Sequence, residues 1–349
     1  MMTLQDVAPV SLKLDAGRPE NLSRWRTLVD VLFPPLRILP DQSHEFGGHI
    51  AAVGRPDLRL TDITASPHRV ERTPERITGV ARDYYKVSFQ VHGHGVMRQS
   101  DRELTLAPGS IAVYDTGRPY ELEFATDYRF IVAMFPKTAL SLPPGITGEL
   151  TAHPFGEDQG LGVLMGSYVH GLAANLQLLA GTSGELVAQN FLDLVSAFVA
   201  EQLEVSAIGE RAERTVLLLR VLRHIDGHLT DPGLDPASIA EAHFISVRHL
   251  YNVFRLTGAS VSAWIKERRL LGARRELADP RLGDLTVAQV AVRWGFADHG
   301  YFGRQFRERF GITPGAWAAT QRGVERAADS HRRAGDSDTR EGLVADPRS

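Results

Sequence analysis

The sequence of 349 residues contains no cysteine. Disulfide bonds, thiolate zinc sites and cysteine nucleophiles are therefore excluded. It also has no apolar run that approaches the roughly 20 residues of a membrane-spanning helix, and its N-terminus lacks a basic region followed by an apolar core. We therefore expect a cytoplasmic protein with no membrane partner. The chain is too long for one typical domain, which predicts two.

The net charge is small, at −3, but it is unevenly distributed. Residues 211–323 hold 17 Lys and Arg residues against 11 Asp and Glu residues, a net charge of +6, whereas the rest of the chain holds 22 basic and 31 acidic residues, or −9. A basic C-terminal part on an acidic body indicates one end that binds nucleic acid and another end with a different role. A chance imbalance on solvated surfaces would give the same numbers.

Residues 46–135 show the alternation of apolar and polar side chains that is typical of strands. Val87 and Phe89 alternate with Ser88, for example, and Gly or Pro residues separate the runs. Many short strands at this spacing predict a sandwich or barrel. We expect residues 1–19, which have little periodicity, to form a loose arm.

Helical spacing of apolar residues occurs on both sides of this strand region. Residues 20–33 form one stretch, which Pro34 and Pro35 end because neither can supply the next helical hydrogen bond. Residues 160–203 contain two adjacent amphipathic helices. These two helices can cap the strands, and residues 204–213 are predicted to form a linker.

Two later stretches, residues 236–255 and 286–311, have the pattern of a helix-turn-helix. Each begins with a short helix built on a small residue, Ala240 or Ala291, and a tight turn follows. The second helix of each then carries apolar residues at helical spacing, which turns one side inward and leaves the other polar and basic. An exposed second helix of this kind is what enters a DNA major groove.

These C-terminal residues resemble the DNA-binding domain of the AraC/XylS family of bacterial transcription regulators. The motifs that carry the resemblance are Trp294-Gly-Phe296, Arg268-Arg-Leu-Leu-Gly-Ala273, Tyr301-Phe-Gly-Arg304-Gln-Phe306 and Phe310-Gly-Ile-Thr-Pro-Gly-Ala-Trp317. The resemblance spans about a hundred residues, with both helix-turn-helix copies in the right order. Residues 106–120 are in turn similar to the second half-motif of the cupin barrel and to the sensor domain of one branch of this family.

The resemblance implies a fold class of α+β with a cupin-like barrel and an all-α double helix-turn-helix domain. The boundaries that it implies are an arm and helix over 1–40, a sensor domain over 41–155, a helical dimerisation segment over 156–205, a DNA-binding domain over 206–323 and a disordered tail over 324–349. The implied partners are a double-stranded DNA operator, RNA polymerase, a small-molecule effector and a second copy of the chain. The implied function is effector-responsive activation of transcription.

The exposed side of each second helix supplies the candidate DNA-binding residues. On the first helix these are the predicted N-cap Ser246 and then Arg248, His249, Tyr251, Asn252 and Arg255. Arg248 and Asn252 share a face because they are four residues apart, and such side chains can pair with guanine and adenine edges. They can equally be solvated or touch phosphate alone.

On the second helix the outward residues are His299, Gly303, Arg304 and Arg307, with Asp298 as the predicted N-cap. The resemblance places His299 and Arg304 where the family reads bases. The connecting helix, predicted over Ser260–Ala278, would set the two recognition helices about 34 Å apart, one turn of DNA. Its arginines, Arg268, Arg269, Arg274 and Arg275, can contact the DNA backbone, and we expect some of them to be structural.

One residue departs from the family pattern. Phe244 occupies the first turn, where glycine is common. Glycine there permits a positive φ that a bulky side chain resists. We therefore expect the first unit to turn differently from the second.

The strand region allows a ligand pocket or a metal enzyme. His92 and His94 are separated by one residue, but the alternation predicts that His92 points away from the interior, and Tyr120 replaces the second-motif histidine that the cupin resemblance requires. We therefore predict no metal, no cofactor and no enzymatic activity. The candidate ligand-binding residues are Phe89, Tyr114, Tyr120 and Phe124. These aromatic residues can also simply fill the core, and a ligand-independent architectural DNA binder is a further alternative.

Overall fold

The computed structural model describes residues 7–41, 45–77, 84–140, 151–152, 155–158, 160–181, 183–206, 210–279, 282 and 284–320. The predicted disordered tail, 324–349, lies outside these residues. The chain divides into two compact units, one of residues 1–222 with 248–260 and the other of residues 223–247 with 261–349. The first unit contains the strands and the second is helical.

Among the described residues of the first unit, twelve strands form two antiparallel sheets. They are β1 (Val7–Leu14), β2 (Arg37–Pro40), β3 (Gly48–Gly54), β4 (Arg59–Ala65), β5 (His68–Arg72), β6 (Tyr84–His92), β7 (Gly95–Gln99), β8 (Arg102–Leu106), β9 (Ser110–Asp115), β10 (Tyr120–Phe124), β11 (Tyr128–Pro136) and β12 (Phe155–Gly156). The larger sheet has the order β1-β3-β4-β11-β6-β9-β12, and the smaller has the order β2-β5-β10-β7-β8. The two sheets have separate edges, so the predicted barrel is an open sandwich.

The core of the sandwich contains side chains from both sheets and from helix α1 (Asn21–Leu32). Trp25 and Leu32 of α1 are almost wholly buried in this core, with Ile50 of the larger sheet and Met97 of the smaller. Burial of apolar side chains between two sheets is what alternating sequences in both sheets produce. The N-terminal arm differs from expectation, because β1 pairs with β3.

Three helices follow the strands, namely α2 (Leu161–Ala174), α3 (Gln177–Ala180) and α4 (Gly184–Ser206). They cover the stretch in which helical spacing predicted two helices. Arg55, at the end of β3, joins the sheet to this helical segment: its guanidinium donates to the Leu179 carbonyl at 3.3 Å and to the Glu185 carboxylate at 3.2 Å. Both charged side chains are largely buried, so this ion pair is less screened than one on the surface.

The C-terminal helices match the predicted tandem pattern. They are α5 (Glu210–Gly227), α6 (Pro236–Ala242), α7 (Val247–Phe254), α8 (Val261–Ala278), α9 (Val287–Arg293) and α10 (His299–Phe310), and residues 314–320 are also helical. The packed side predicted for α8, which includes Val261, Ile265 and Ala273, is buried. Most of the predicted linker, 204–213, is helical, because α4 ends at Ser206 and α5 begins at Glu210.

The expectation that the first helix-turn-helix would turn differently is wrong. Phe244 adopts a φ of 55°, and Gly295 adopts a φ of 72° at the corresponding place in the second unit. In both turns the next residue closes the turn, because Ile245 N–H donates to Ala240 and Phe296 N–H donates to Ala291. The Phe244 ring is 98% exposed, so burial of the ring does not offset the strain of this conformation.

We therefore expect Phe244→Gly to raise the free energy of unfolding by roughly 0.5–1 kcal/mol, because relief of the left-handed strain exceeds the entropy that glycine loses on folding. Urea denaturation of both proteins measures the change. Phe244→Ala is the matched control, since it removes the ring and keeps the Cβ, and it should give no such gain. A less stable glycine variant would show that the ring contributes to folding.

Candidate nucleic-acid interface and internal cavity

Both helices of the second helix-turn-helix begin at a side-chain cap. At the start of α9, Thr286 and Gln289 each accept a hydrogen bond from the other's backbone N–H. At the start of α10, the Asp298 carboxylate accepts from the Gly300 N–H at 2.7 Å and the Tyr301 N–H at 3.1 Å. The Tyr301 and Gly300 N–H groups hold the pKa of Asp298 below its usual value. Asp298 is thus the N-cap that the sequence predicts.

The turn of this unit is fastened to α8 through Trp294. A Cβ built on Gly272 would lie 2.1 Å from the Trp294 ring, so only glycine leaves room for the indole there. The Trp294 Nε1–H donates to the Glu276 carboxylate at 2.5 Å, and Arg293 forms an ion pair with the same carboxylate at 3.1 Å. These contacts fix the position at which α10 leaves the turn.

Helix α10 has one buried side and one exposed side. Phe302 and Phe306 are fully buried and stack edge to face, with ring centroids 5.6 Å apart. His299, Arg304 and Arg307 are exposed, and Gly303 is half-buried between them. The structure therefore places the predicted side chains together along one face, where they can meet DNA.

The flanks of α10 are tied to α8 by two polar contacts. Lys266 donates to the Gln305 side chain at 2.7 Å, and the Arg309 guanidinium donates to Glu267 at 2.6 Å. Arg309 is thereby held against the protein, whereas Arg304 and Arg307 extend into solvent. Charge alone does not distinguish these arginines, but their burial does.

The first helix-turn-helix has the same local design. At the start of α6, Asp235 and Ser238 form a reciprocal capping box. Helix α7 buries Leu250, Val253 and Phe254. Its predicted DNA-binding residues are all exposed, namely Ser246, Arg248, His249, Tyr251, Asn252 and Arg255.

The two recognition helices match in burial position by position. Leu250 and Phe254 are buried four residues apart, as are Phe302 and Phe306. Alignment of these anchors places Asn252 with Arg304, and Arg255 with Arg307. Both pairs lie on exposed faces, so the two helices present polar side chains to solvent at equivalent positions.

Three arginines of α8 are structural. Arg268 donates to Asp226 at 2.8 Å and Arg269 donates to the carbonyls of Leu229 and Asp231. Arg274 lies over the rings of Phe310 and Trp317, 5.2 and 4.6 Å from their centroids. The expectation that some of the α8 arginines serve the fold agrees with these contacts.

A small cavity of about 50 Å³ lies within the sandwich core. Three of the four candidate ligand-binding residues line it: Tyr114, Tyr120 and Phe124. Phe89 does not, because Ser88 turns inward to hydrogen-bond the Tyr114 hydroxyl at 2.9 Å and successive strand residues face opposite sides. The prediction that Phe89 faces this interior is therefore wrong.

The cavity lining also contains two titratable residues that the sequence analysis did not select for this site, His68 and Lys86. Burial lowers the pKa of His68 to about 4, against a smaller opposing effect of its hydrogen bond to the Ser66 carbonyl. Its second ring nitrogen lies 3.4 Å from the Tyr128 hydroxyl. His68 is thus a neutral core residue at physiological pH. Among the residues that the structure describes, no group of three His, Asp or Glu side chains is placed to hold a metal ion.

Two parts of the chain match known domain families. Residues 25–200 match the AraC-binding-like domain family and residues 239–320 match a helix-turn-helix domain family. The chain is 30% identical over 318 residues to the transcriptional activator NphR of a Rhodococcus species, covering 89% of this chain and 92% of that protein. It is 25% identical over 244 residues to the arabinose operon regulatory protein of Escherichia coli K12, covering 67% and 80%.

Among solved structures, the AraC-like transcriptional activator CuxR is similar with a TM-score of 0.48 and 24% identity, covering 76% of this chain and 95% of that one. In the parts of the chain that the structure describes, no helix is long and apolar enough to cross a membrane.

We expect Gly272→Ala to destabilise the protein by about 1–3 kcal/mol, because the new methyl group overlaps the Trp294 ring. Gly303→Ala is the matched control: it is also a helical glycine, but nothing lies within 4 Å of its added Cβ. That variant should gain roughly 0.5–1 kcal/mol from helix propensity. Thermal and urea unfolding measure both changes, and equal effects would show that the Trp294 contact does not matter.

The depressed pKa of His68 makes stability depend on pH. Between about pH 6.5 and pH 4 this residue is protonated in the unfolded chain but not in the folded chain. Its contribution to the free energy of unfolding is therefore complete above pH 6.5 and is lost as the pH decreases toward 4. The loss should reach roughly 3 kcal/mol at the lower end. His68→Phe, which suits the surrounding aromatic rings, should flatten the decline in urea titrations over this window. An unchanged pH profile would contradict the assignment.

Proposed function

The chain belongs to the AraC family of DNA-binding transcription regulators, and on that premise we propose that it activates transcription in response to a small effector held in the sandwich cavity. Both recognition helices would enter successive major grooves of one operator. The observation that carries this proposal is the matched pair of helices whose apolar anchors are buried and whose polar residues are exposed at corresponding positions.

The exposed faces suggest how bases and phosphates share the contacts. Arg304 and Asn252 occupy equivalent positions, and these side chains form bidentate pairs with guanine and adenine, respectively. Arg255 and Arg307, one turn further along each helix, are suited to the phosphate backbone. Gly303, half-buried beside Arg304, would let the DNA backbone approach closely.

An effector would act by shifting a population. It can change DNA binding only if it binds one arrangement of the protein more tightly than another. The cavity supports a site of this kind because it is enclosed by aromatic side chains and carries a few polar groups. Activation and contact with RNA polymerase are proposed by analogy with relatives named as transcriptional activators.

We also propose that the protein works as a homodimer in the cytoplasm. Three large apolar side chains of the helical segment are exposed: Val163 and Leu164 on α2, and Leu178 on α3. An exposed apolar patch is a common mark of a protein interface. A second copy of the chain would cover these side chains of α2 and α3, which lie in the segment that the family resemblance assigns to dimerisation.

We expect Arg304→Ala to weaken binding to the operator by about 1–3 kcal/mol and to relax specificity at one base pair. The operator is first selected from a random duplex pool with the full chain, and affinities are then measured by fluorescence anisotropy at fixed salt. Arg24→Ala, which removes one exposed charge from α1, is the control and should leave binding unchanged. If Arg304→Ala weakened binding equally on unrelated DNA, Arg304 would contact phosphate and not a base.

A further inference from the structure

Lys86 is buried in the middle of the sandwich. It lies on β6, its side chain is turned inward, and only 2% of the residue is exposed. Its side-chain nitrogen Nζ donates a hydrogen bond to the Tyr120 hydroxyl at 2.9 Å and lies 4.4 Å from the centre of the Phe33 ring. Lysine is almost never fully buried without a partner of opposite charge.

The cationic residues near Lys86 make its burial more unusual. Arg72 and Arg59 are also buried. Arg72 donates to the Pro35 carbonyl at 2.7 Å, and Arg59 donates to the Leu32 carbonyl. Within the described part of the chain, Lys86 forms no ion pair with a carboxylate. Three basic side chains thus gather in the core beside the cavity.

This grouping affects the protonation of the side chains that line the cavity. Burial, and then the positive charges of Arg72 and Arg59, hold the pKa of Lys86 well below its usual value. Burial also raises the pKa of Tyr114, Tyr120 and Tyr128, so their hydroxyls stay neutral. The cavity is therefore lined by hydroxyl donors and by an amine whose charged form is disfavoured, with two further basic side chains nearby.

We propose that the cavity binds a small organic acid as its carboxylate, with Lys86 as the ion-pair partner and the Tyr120 hydroxyl as a hydrogen-bond donor. This inference rests on the proposed function, in which the same cavity holds the effector. The basic residues disfavour a cationic ligand. The mostly aromatic and aliphatic lining disfavours a polyol, whose hydroxyls would lose their hydrogen bonds to water, and selects an acid with an apolar body.

Binding of a carboxylate is expected to take up a proton. A carboxylate beside Lys86 favours the ammonium form, so above the lowered pKa of this side chain the amine takes up one proton from solvent on binding. The product is an ammonium–carboxylate pair, and no covalent bond is formed. Affinity should therefore fall by up to about tenfold for each pH unit as the pH rises above that pKa. The other groups that face Lys86 keep one state in this range: Arg59 and Arg72 are charged, and His68, Tyr114, Tyr120 and Tyr128 are neutral.

The test is calorimetric titration of the full chain with acetate, butyrate and benzoate, each against the neutral amide of the same shape. The acids should bind and the amides should not, because only the acids complete the charge pair. Titration of the binding acid in two buffers of different ionisation enthalpy, repeated at several pH values, should report the uptake of up to about one proton as the pH rises above the lowered pKa of Lys86. Equal binding of acid and amide, absence of proton uptake at every pH, or no binding by any acid would overturn the proposal.

Lys86→Met supplies a second, independent readout. Methionine has a similar length and suits an apolar cavity, so the melting temperature should be equal or higher while acid affinity falls by roughly 30-fold or more. Lys13→Met, at an exposed lysine of β1, is the control and should bind acids normally. If Lys86→Met bound acids as tightly as the native chain, Lys86 would not be the partner. If this variant fails to fold, the acid–amide comparison in the native chain still decides the matter.

Failure of this inference can be separated from failure of the proposed function. Operator selection and anisotropy with the native chain test DNA recognition without any acid present. Specific DNA binding together with no response to acids would overturn only the organic-acid assignment. Absence of specific DNA binding would instead overturn the interface on α7 and α10, whatever the cavity binds.

Discussion

The contact between Trp294 and Gly272 determines the geometry of the C-terminal unit. The indole ring can pack against α8 at this point only because residue 272 has no side chain. Its nitrogen is then within 2.5 Å of Glu276, which also holds Arg293. Trp294 is the first residue of the turn before α10. The direction of the recognition helix therefore depends on these contacts of Trp294 with α8. Exposed arginines become useful for reading DNA only when the helix that carries them is held in a fixed direction.

The N-terminal unit is organised by a different constraint, the alternation of side chains in its strands. Once Ser88 and Lys86 turn toward the smaller sheet, Phe89 and Val87 must turn away from it. The interior that results is mainly aromatic but contains a group of basic residues. A core that served stability alone would place apolar residues there, since a buried amine contributes little to packing and is costly to charge. Lys86 is therefore the residue of this core on which the proposed organic-acid site depends.

Much of the architecture follows from local sequence patterns. The spacing of Phe302 and Phe306, the position of Asp298 before α10 and the alternation around Phe89 were sufficient to predict the helices, the cap and the strands, because each depends on neighbours within a few residues. The face of β6 that meets the core depends on the other sheet, and the alternation alone leaves both faces open. Lys86 was missed because it alternates with apolar residues as an exposed lysine would. Phe244 was misjudged because a turn can impose a positive φ on a residue that disfavours it.

Arg55 has a mechanical consequence for the N-terminal unit. It is anchored in the turn after β3 and reaches both the last turn of α3, at Leu179, and the first turn of α4, at Glu185. This guanidinium, with one partner on each of two helices, links the end of the strand to both helices. Any widening of the sandwich that displaced β3 would pull on the junction of α3 and α4, next to the apolar side chains of the helical segment. A displacement of β3 would in this way be transmitted to the exposed apolar side chains Val163, Leu164 and Leu178.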